Sequence, residues 1–270
     1  MDLQLKGRVA IITGAGQGIG REIARVLAEE GVKIGVNDFF QDRAERVAQE
    51  ITARGGLAIG VQADVTDLDQ VREMVRKIAE TLGPVDILVN NAGVIIEKKT
   101  GQVKRSAFVE SVPEAWKKEA DLNFYGCLNC THAVLPSMME RKKGSLVSVI
   151  SEAGRVGEAN LAVYSGAKAG ILGFTKAIAR EVGRHAINAN CVALGAVAHE
   201  GTKPGLDPEA RPETDPKLDK MLKVYPAGRG LGRVGRPSDA AHAVAFLVSP
   251  RAEFITGQCL SVSGGFTMVG

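Results

Sequence analysis

The stretch RVAIITGAGQGIG, residues 8–20, begins with apolar residues and ends on alternating glycines. Its first half is typical of a buried strand, and its second half is typical of a tight turn that leads into a helix. The glycines are Gly14, Gly16, Gly18 and Gly20, so the spacing is T-G-x-x-x-G-x-G rather than the strict G-x-G-x-x-G. A glycine-rich turn between a strand and a helix presents backbone N–H groups that suit a pyrophosphate.

Strand and helix patterns alternate along the rest of the chain. Seven short apolar runs are predicted to be strands: 8–14, 32–38, 57–65, 85–93, 144–151, 187–194 and 259–265. Six segments carry helical patterns: 18–30, 41–54, 67–82, 114–140, 163–184 and 238–249. Short, near-continuous apolar runs are typical of parallel strands that are covered on both faces. The sequence therefore predicts one α/β domain over residues 1–270, with a doubly wound parallel sheet.

Residues 199–237 interrupt this alternation. Prolines occur at positions 204, 208, 212 and 216, and this spacing excludes a continuous helix. The segment follows the sixth predicted strand, at the carboxyl edge where open α/β sheets bind ligands. Loops this long are usually functional lids or disordered segments. We predict a substrate lid at 199–237.

Composition restricts the class of protein. The chain has 45% hydrophobic residues, 24% charged residues and a net charge of +3, and no basic stripe with interleaved aromatics indicates nucleic-acid binding. No signal-like or membrane-spanning run is present, so we expect a cytoplasmic protein with no membrane partner. Cys127 and Cys130 form a C-x-x-C pair, which we interpret as buried thiols in a reducing compartment, and no metal site is predicted.

Asp38 adds a second nucleotide-binding signal. It ends the second predicted strand twenty residues after Gly18, where a carboxylate can accept hydrogen bonds from the ribose hydroxyls of NAD. The negative charge disfavours a 2′-phosphate, and residues 37–42 contain no Lys or Arg. Gln17 stands in the turn where a cation would favour that phosphate. NAD is therefore the predicted cofactor, rather than NADP.

The segment AVYSGAKAG, residues 162–170, places Tyr164 and Lys168 one helical turn apart among small residues. Small residues at this density indicate either tight packing or chemistry in a confined place. Free tyrosine has a pKa near 10, and a neighbouring ammonium group lowers that pKa by favouring the phenolate. The pair therefore predicts an acid/base site.

Five motifs in order make the chain resemble the short-chain dehydrogenase/reductase family in its commonest form. They are TGAGQGIG (13–20), NNAG (90–93), Asn123 in DLNFYG, Ser151, and YSGAK (164–168). The resemblance runs from about residue 6 to the carboxyl terminus. It implies a seven-stranded Rossmann-type sheet and an NAD-dependent oxidoreductase that interconverts a secondary alcohol and a ketone by hydride transfer.

The resemblance also assigns roles by position. It implies that Tyr164 is the acid/base, that Ser151 orients the carbonyl, and that Asn123 completes a proton relay through Lys168. The implied cofactor contacts are Gly14, Gln17, Gly18, Ile19, Gly20, Asp38, Phe39, Asp64, Val65, Asn91, Ala92, Gly93, Tyr164, Lys168, Gly195 and Val197. Most members of the family are homotetramers, so a homotetramer is expected.

The stretch LGAVAH, residues 194–199, departs from the family pattern P-G-x-x-x-T. Leu194 replaces the proline and His199 replaces the threonine that holds the nicotinamide carboxamide. Gly195 is retained, so a close backbone approach to the cofactor is expected. His199 is interpreted as a hydrogen-bond donor, a residue facing the substrate, or a solvent-exposed loop residue.

The substrate is less well defined by the sequence. Within the family, the chain resembles bacterial dehydrogenases of cyclic or 3-hydroxyacyl-CoA thioesters, such as 2-hydroxycyclohexanecarboxyl-CoA dehydrogenases. Basic residues that would suit CoA phosphates are Lys98, Lys99, Arg155, Arg229 and Arg233, and Lys104 and Arg105 extend the basic stretch. The alternatives are a dehydrogenase of a steroid or sugar alcohol, a 3-oxoacyl-carrier-protein reductase, and a catalytically silent NAD-binding subunit.

Overall fold

The fold is a seven-stranded parallel sheet covered by helices on both faces. The computed structural model describes residues 1–93, 106–202, 206–207, 209 and 211–269. The strand order is β3-β2-β1-β4-β5-β6-β7, and every neighbouring pair is parallel. The predicted α/β, Rossmann-type doubly wound sheet is therefore confirmed.

The described strands are β1 (Val9–Ile12), β2 (Lys33–Asp38), β3 (Ala58–Gln62), β4 (Ile87–Asn90), β5 (Gly144–Ser151), β6 (Ile187–Leu194) and β7 (Cys259–Val262). The described helices are α1 (Gly18–Glu29), α2 (Gln41–Thr52), α3 (Leu68–Leu82), α4 (Pro113–Ala120), α5 (Gly126–Arg141), α6 (Ala153–Val156), α7 (Ala162–Val182), α8 (Pro216–Leu222), α9 (Pro226–Leu231) and α10 (Pro237–Leu247).

The core has two halves, one on each face of the sheet. Successive strand residues point to opposite faces, so Ile12 packs against α1 and α10 while Ile11 packs against α3 and α5. Because both faces of the sheet are covered by apolar side chains, each strand is a nearly continuous apolar run in the sequence.

The strand order reverses direction between β1 and β4. The turns that follow these two strands, at 13–17 and 91–93, therefore lie side by side at the carboxyl edge. Crevices of this kind are where doubly wound sheets bind ligands. The fold thus places the glycine-rich turn beside the NNAG segment.

The predicted helix over 114–140 is two helices joined by a π-helical turn. α4 ends at Ala120, the turn spans Asp121–Tyr125, and α5 begins at Gly126. A π turn inserts one residue into the helical repeat, and such turns often occur at functional sites. Asn123 lies at the centre of this turn.

Residues 199–237 contain two short helices, which the spacing of the prolines did not predict. Pro216 and Pro226 occupy the first turns of α8 and α9, where a missing N–H costs nothing. Leu218 and Leu222 of α8 are buried against Ala198 and Val234. The action of this segment as a lid stays a prediction.

None of the helices in the described ranges is both long and apolar enough to cross a bilayer.

Candidate active site

The glycine-rich turn is built by close packing. Gly14 and Gly18 have φ values of 60° and 58°, in the left-handed region that favours glycine. A Cβ on Gly14 would lie 2.9 Å from the Cα atom of Ala92, and a Cβ on Gly16 would lie 2.6 Å from Asp38 Oδ2. No other residue fits these positions without moving the neighbouring backbone or carboxylate.

The NNAG segment is bonded to the first strand. Asn91 donates through Nδ2 to the carbonyl oxygens of Thr13 at 2.9 Å and Gly14 at 3.1 Å. The Thr13 hydroxyl accepts from the N–H groups of Asn91 and Ala92 at 3.0 and 3.1 Å. These bonds fix the walls of the crevice between β1 and β4.

Asp38 is buried at the end of β2, directly beside the glycine turn. Its Oδ2 accepts from the Gly16 N–H at 3.0 Å, and its Oδ1 accepts from the Phe40 N–H at 3.1 Å. Phe39 is 58% exposed next to it. A carboxylate has about four acceptor positions, so Asp38 retains capacity for ribose hydroxyls.

Two arginines that the sequence interpretation did not single out lie close to this carboxylate. A Cβ on Gly16 would lie 2.6 Å from the Cβ atom of Arg43, and Arg46 donates to the Gly16 carbonyl at 3.1 Å. The Arg43 guanidinium stacks 4.5 Å above the Phe40 ring. No short motif in the sequence indicates these two arginines.

Tyr164 and Lys168 share one face of α7, as their spacing predicted. The Lys168 ammonium nitrogen lies 5.6 Å from the centre of the half-buried Tyr164 ring. Lys168 is buried, and its Nζ donates to the Val149 carbonyl at 3.1 Å. Burial lowers the pKa of Lys168 to about 8, because the interior disfavours the charged form.

Ser151 lies two residues before the short helix α6, which packs on the helix that carries Tyr164 and Lys168. It is the last residue of β5, and its Oγ accepts from the Ala153 N–H at 3.1 Å. α6 packs on α7 so closely that a Cβ on Gly154 would lie 2.8 Å from the carbonyl carbon of Lys168. The glycine at 154 therefore allows α6 to approach the backbone of α7 at Lys168.

Asn123 completes the group through the π turn. A Cβ on Gly93 would lie 2.7 Å from Asn123 Oδ1 and 2.8 Å from Lys168 Nζ. The two polar atoms therefore flank the same point beside NNAG. Asn123 and Lys168 also line a cavity of about 10 Å³, which is close to the size of one water.

The segment after β6 makes contacts within the chain that the family pattern did not predict. A Cβ on Gly195 would lie 2.9 Å from the Tyr225 ring, so this glycine is required by packing inside the chain. Val197 is buried and pairs with Gly235. His199 is half-buried with its ring against Gly18, so it is not a solvent-exposed loop residue.

Glu200 places a carboxylate at the start of α1. Its Oε1 accepts from the Gly18 N–H at 3.0 Å and lies 3.6 Å from Arg21 Nη1. Gln17 makes no side-chain cap to α1 in the described part of the chain. An acidic group held here shows that this helix N-terminus accepts an anion, as a dinucleotide pyrophosphate requires.

The remaining predicted cofactor contacts differ in accessibility. Ile19 and Asp64 are half-buried, whereas Val65 is buried with its side chain against Gly126. Asp64 accepts from the backbone N–H and hydroxyl of Thr66. Val65 can therefore meet a ligand mainly through its backbone.

Two of the basic residues that would suit CoA phosphates are bonded within the chain. Arg155 is buried and donates to Ser261 and to the Val269 carbonyl, and Arg233 forms a bidentate pair with Asp239 at 2.7 and 3.2 Å. Arg229 is exposed. The stretch with Lys98, Lys99, Lys104 and Arg105 lies outside the described residues.

The cysteines are placed as the sequence indicated. Cys127 and Cys130 are buried in α5, and burial raises the pKa of both thiols. They are neutral thiols near pH 7.

Residues 8–209 match the family model described as short chain dehydrogenase, which spans most of the chain and includes Asn123, Ser151, Tyr164 and Lys168. The chain belongs to the short-chain dehydrogenase family, and it is an oxidoreductase of that family. The predicted family resemblance is confirmed.

Curated relatives include bacterial 3-oxoacyl-(acyl-carrier-protein) reductases. The Staphylococcus epidermidis protein is 37% identical over 260 residues, covering 96% of this chain and 98% of the relative. The Synechocystis sp. protein is 36% identical over 267 residues, covering 98% of both. These relatives match the reductase alternative rather than the narrower resemblance to cyclic or 3-hydroxyacyl-CoA dehydrogenases.

A similar solved structure is a 7α-hydroxysteroid dehydrogenase in complex with NADH and 7-oxoglycochenodeoxycholic acid. It has a TM-score of 0.85 and 33% identity, and the match covers 98% of this chain and 96% of that one.

Proposed function

We propose that this chain is an NAD(H)-dependent oxidoreductase that interconverts a 3-oxoacyl thioester and the corresponding 3-hydroxyacyl thioester. The observation that supports the redox chemistry is the buried Lys168 one turn from Tyr164, with Gly154, three residues after Ser151, packed against the backbone of Lys168. The 3-oxoacyl-(acyl-carrier-protein) reductases among the relatives support the substrate class.

Tyr164 acts as the proton donor to the carbonyl oxygen in reduction and as the proton acceptor from the alcohol in oxidation. The nearby Lys168 ammonium favours the phenolate form of Tyr164. The Ser151 hydroxyl donates a hydrogen bond to the same substrate oxygen and orients it. Asn123 holds a water beside Lys168, through which the proton reaches solvent.

The crevice fits a dinucleotide, because the glycine turn, the start of α1 and the Asp38 carboxylate present the required groups together. The pyrophosphate would replace Glu200 at the Gly18 N–H, and Asp38 would accept from the ribose hydroxyls. When bound, the nicotinamide ring supplies or accepts the hydride. The Asp38 charge favours NAD(H) over NADP(H).

We favour a carrier-protein thioester over a CoA thioester. Arg155 and Arg233, two of the cations that would suit CoA phosphates, are already bonded within the chain. The names of the relatives point in the same direction.

The test is a panel of initial rates with NADH and with NADPH. The substrates are acetoacetyl-acyl-carrier protein, acetoacetyl-CoA, a 7-oxo bile acid and a simple sugar ketone. We expect fastest turnover of the carrier-protein thioester with NADH. Turnover of the bile acid alone would replace the thioester proposal with the second candidate, a hydroxysteroid dehydrogenase, which the 7α-hydroxysteroid neighbour supports. NADH binding without turnover across the panel would support the silent subunit.

We also propose a homotetramer. The open positions Gly173 and Ala177 on α7 would admit a close helix from another copy, whereas Gly170 packs on Phe124 inside the chain. Light scattering should give four times the 28.5 kDa chain mass. A monomer at micromolar concentration would contradict this assembly.

A further inference from the structure

Glu119 is an acidic side chain next to the proposed catalytic group that the mechanism above does not use. It lies in α4, one helical turn before Asn123, and is half-buried. Its Oε1 accepts from Asn123 Nδ2 at 2.7 Å, and its backbone carbonyl accepts from the same nitrogen at 3.2 Å. Both bonds use the NH2 end of the Asn123 amide.

The oxygen end of that amide therefore faces the other way. Asn123 Oδ1 is buried and accepts no hydrogen bond within the described part of the chain. It faces the same point beside Gly93 as Lys168 Nζ does. An ionised carboxylate only accepts hydrogen bonds, so Glu119 can bond the NH2 end but not the oxygen. The carboxylate thus fixes which end of the amide faces Lys168.

The charge of Glu119 also matters to Lys168. Buried charges in proteins are normally paired, and Lys168 is buried. Burial raises the pKa of Glu119 and the nearby ammonium group lowers it, while the Glu119 charge in turn raises the pKa of Lys168. The other titratable groups that face Lys168 are Tyr164 on its own helix, Cys127 in α5 and Cys191 in β6.

The two cysteines do not supply a negative charge near neutral pH. Burial raises the pKa of Cys127, and it raises that of Cys191 to about 12. Glu119 is therefore the one carboxylate among these groups whose charge acts on Lys168.

We propose that Glu119 is a positioning residue of this site: its carboxylate turns the Asn123 oxygen toward Lys168 and supplies the counter-charge for the Lys168 ammonium. Its effect on the reaction rests on the function proposed above. Its effect on Lys168 is a property of the protein alone and can be measured without a substrate.

The test compares Glu119→Gln with Asp121→Asn. Glu119→Gln keeps an oxygen that can accept from Asn123 but removes the charge. Asp121→Asn removes one charge from the neighbouring turn, where Asp121 pairs with Lys117. The titration of Lys168 is followed by NMR of ¹³Cε-labelled lysine in the full chain, with Lys168→Arg to assign the signal.

We expect the Lys168 pKa to fall by about half a pH unit or more in Glu119→Gln and to stay at the wild-type value in Asp121→Asn. If Glu119→Gln does not fold, Glu119→Asp moves the charge away from Asn123 and should give a smaller shift in the same direction. An unchanged Lys168 titration, or an equal shift in the Asp121→Asn control, would overturn the proposal.

The pH dependence of the reaction rate provides a second measurement. The alkaline limb of the pH profile for ketone reduction should move toward acid in Glu119→Gln, because Lys168 loses its proton at lower pH. A uniform loss of kcat with no movement of that limb would show a merely structural role. If no substrate is turned over but the Lys168 titration still shifts, the proposed function fails and this inference stands.

Discussion

Asp38 is the residue on which the cofactor assignment depends. Its carboxylate is buried beside the glycine turn and bonded to two backbone N–H groups, so its position is fixed before any ligand binds. Arg43 and Arg46 lie on the same side of the turn and were not anticipated from the sequence. The proposed preference for NAD over NADP therefore depends on the Asp38 carboxylate, with Arg43 and Arg46 packed around the same turn.

Asp38→Asn should shift that preference toward NADP(H). Removing the negative charge removes its repulsion of a 2′-phosphate and leaves the two arginines in place. We expect the ratio of kcat/KM for NADPH to that for NADH to rise about tenfold or more, which corresponds to about 1.4 kcal/mol. Asp42→Asn, an exposed change in the first turn of α2, is the control. An unchanged ratio would show that Asp38 does not select the cofactor.

Burial of the Lys168 ammonium group is expected to lower the free energy of unfolding near neutral pH. Its pKa falls from 10.5 to about 8 on folding because of burial. The unfolded chain therefore binds more protons than the native protein between about pH 8 and 10.5, and this contribution to the free energy of unfolding rises with pH in that window.

Lys168→Met should accordingly be inactive but more stable at pH 7. We expect the free energy of unfolding to rise by about 2 kcal/mol, with the lost bond to Val149 offsetting part of the gain. The gain should shrink as the pH rises from 8 to 10.5. Urea denaturation at several pH values measures it, and a destabilised variant at pH 7 would contradict the account.

The sequence predicts the site residues whose positions follow from a fixed spacing. It does not predict those whose positions depend on contacts formed in the folded chain. Tyr164 and Lys168 share a helix face, so their proximity follows from the helical repeat. Glu119, Arg43 and Glu200 come close to the site through contacts between or within elements that no short motif encodes. His199 has the same origin, since its place against Gly18 depends on the path of the chain after β6.

At the scale of elements, the contact between α6 and α7 sets the geometry of the site. Gly154→Ala would place a methyl group 2.8 Å from the Lys168 backbone, where neither helix can yield by a rotamer change. We expect a loss of about 1–3 kcal/mol in stability and about a tenfold or larger fall in kcat. Gly183→Ala is the matched control, because a methyl there would meet nothing within 4 Å among the described residues. Equal kcat values for the two variants would contradict this role.

The segment after β6 is expected to compete with the cofactor at the start of α1. Glu200→Gln removes the negative charge that Glu200 places on the Gly18 N–H but leaves a similar side chain. We expect NADH to bind about three- to tenfold more tightly, because displacing a neutral amide from the Gly18 N–H costs less free energy than displacing a carboxylate. Fluorescence titration of NADH measures the Kd, and Glu213→Gln in the same segment is the control. Equal or weaker binding in Glu200→Gln would exclude the competition.

The elements themselves were predictable to different degrees. The strands followed from their apolar runs, because both faces of the sheet are buried. The π turn at Asp121–Tyr125 did not, since one inserted residue leaves the surrounding helical periodicity almost unchanged. α8 and α9 were missed because prolines that exclude a long helix can still begin a short one.

For the whole molecule, the fold and family follow from the sequence but the substrate does not. The sheet and its crevice depend on patterns that repeat along the chain. Substrate choice depends on loops at the carboxyl edge, and residues 94–105 and parts of 199–237 lie outside the described ranges. The expectation of a CoA thioester comes from the resemblance to acyl-CoA dehydrogenases, and among the basic residues that would suit CoA phosphates, Arg155 and Arg233 bond within the chain.

The central claim is that Tyr164 transfers the proton while a nicotinamide cofactor exchanges the hydride with a 3-oxoacyl thioester. The most direct test is the rate of NADH consumption at 340 nm with acetoacetyl-acyl-carrier protein, for the wild-type chain and Tyr164→Phe. We predict turnover by the wild type and a fall in kcat of about a thousandfold in the variant, with an unchanged Kd for NADH. A Tyr164→Phe enzyme that keeps most of its activity would contradict the mechanism.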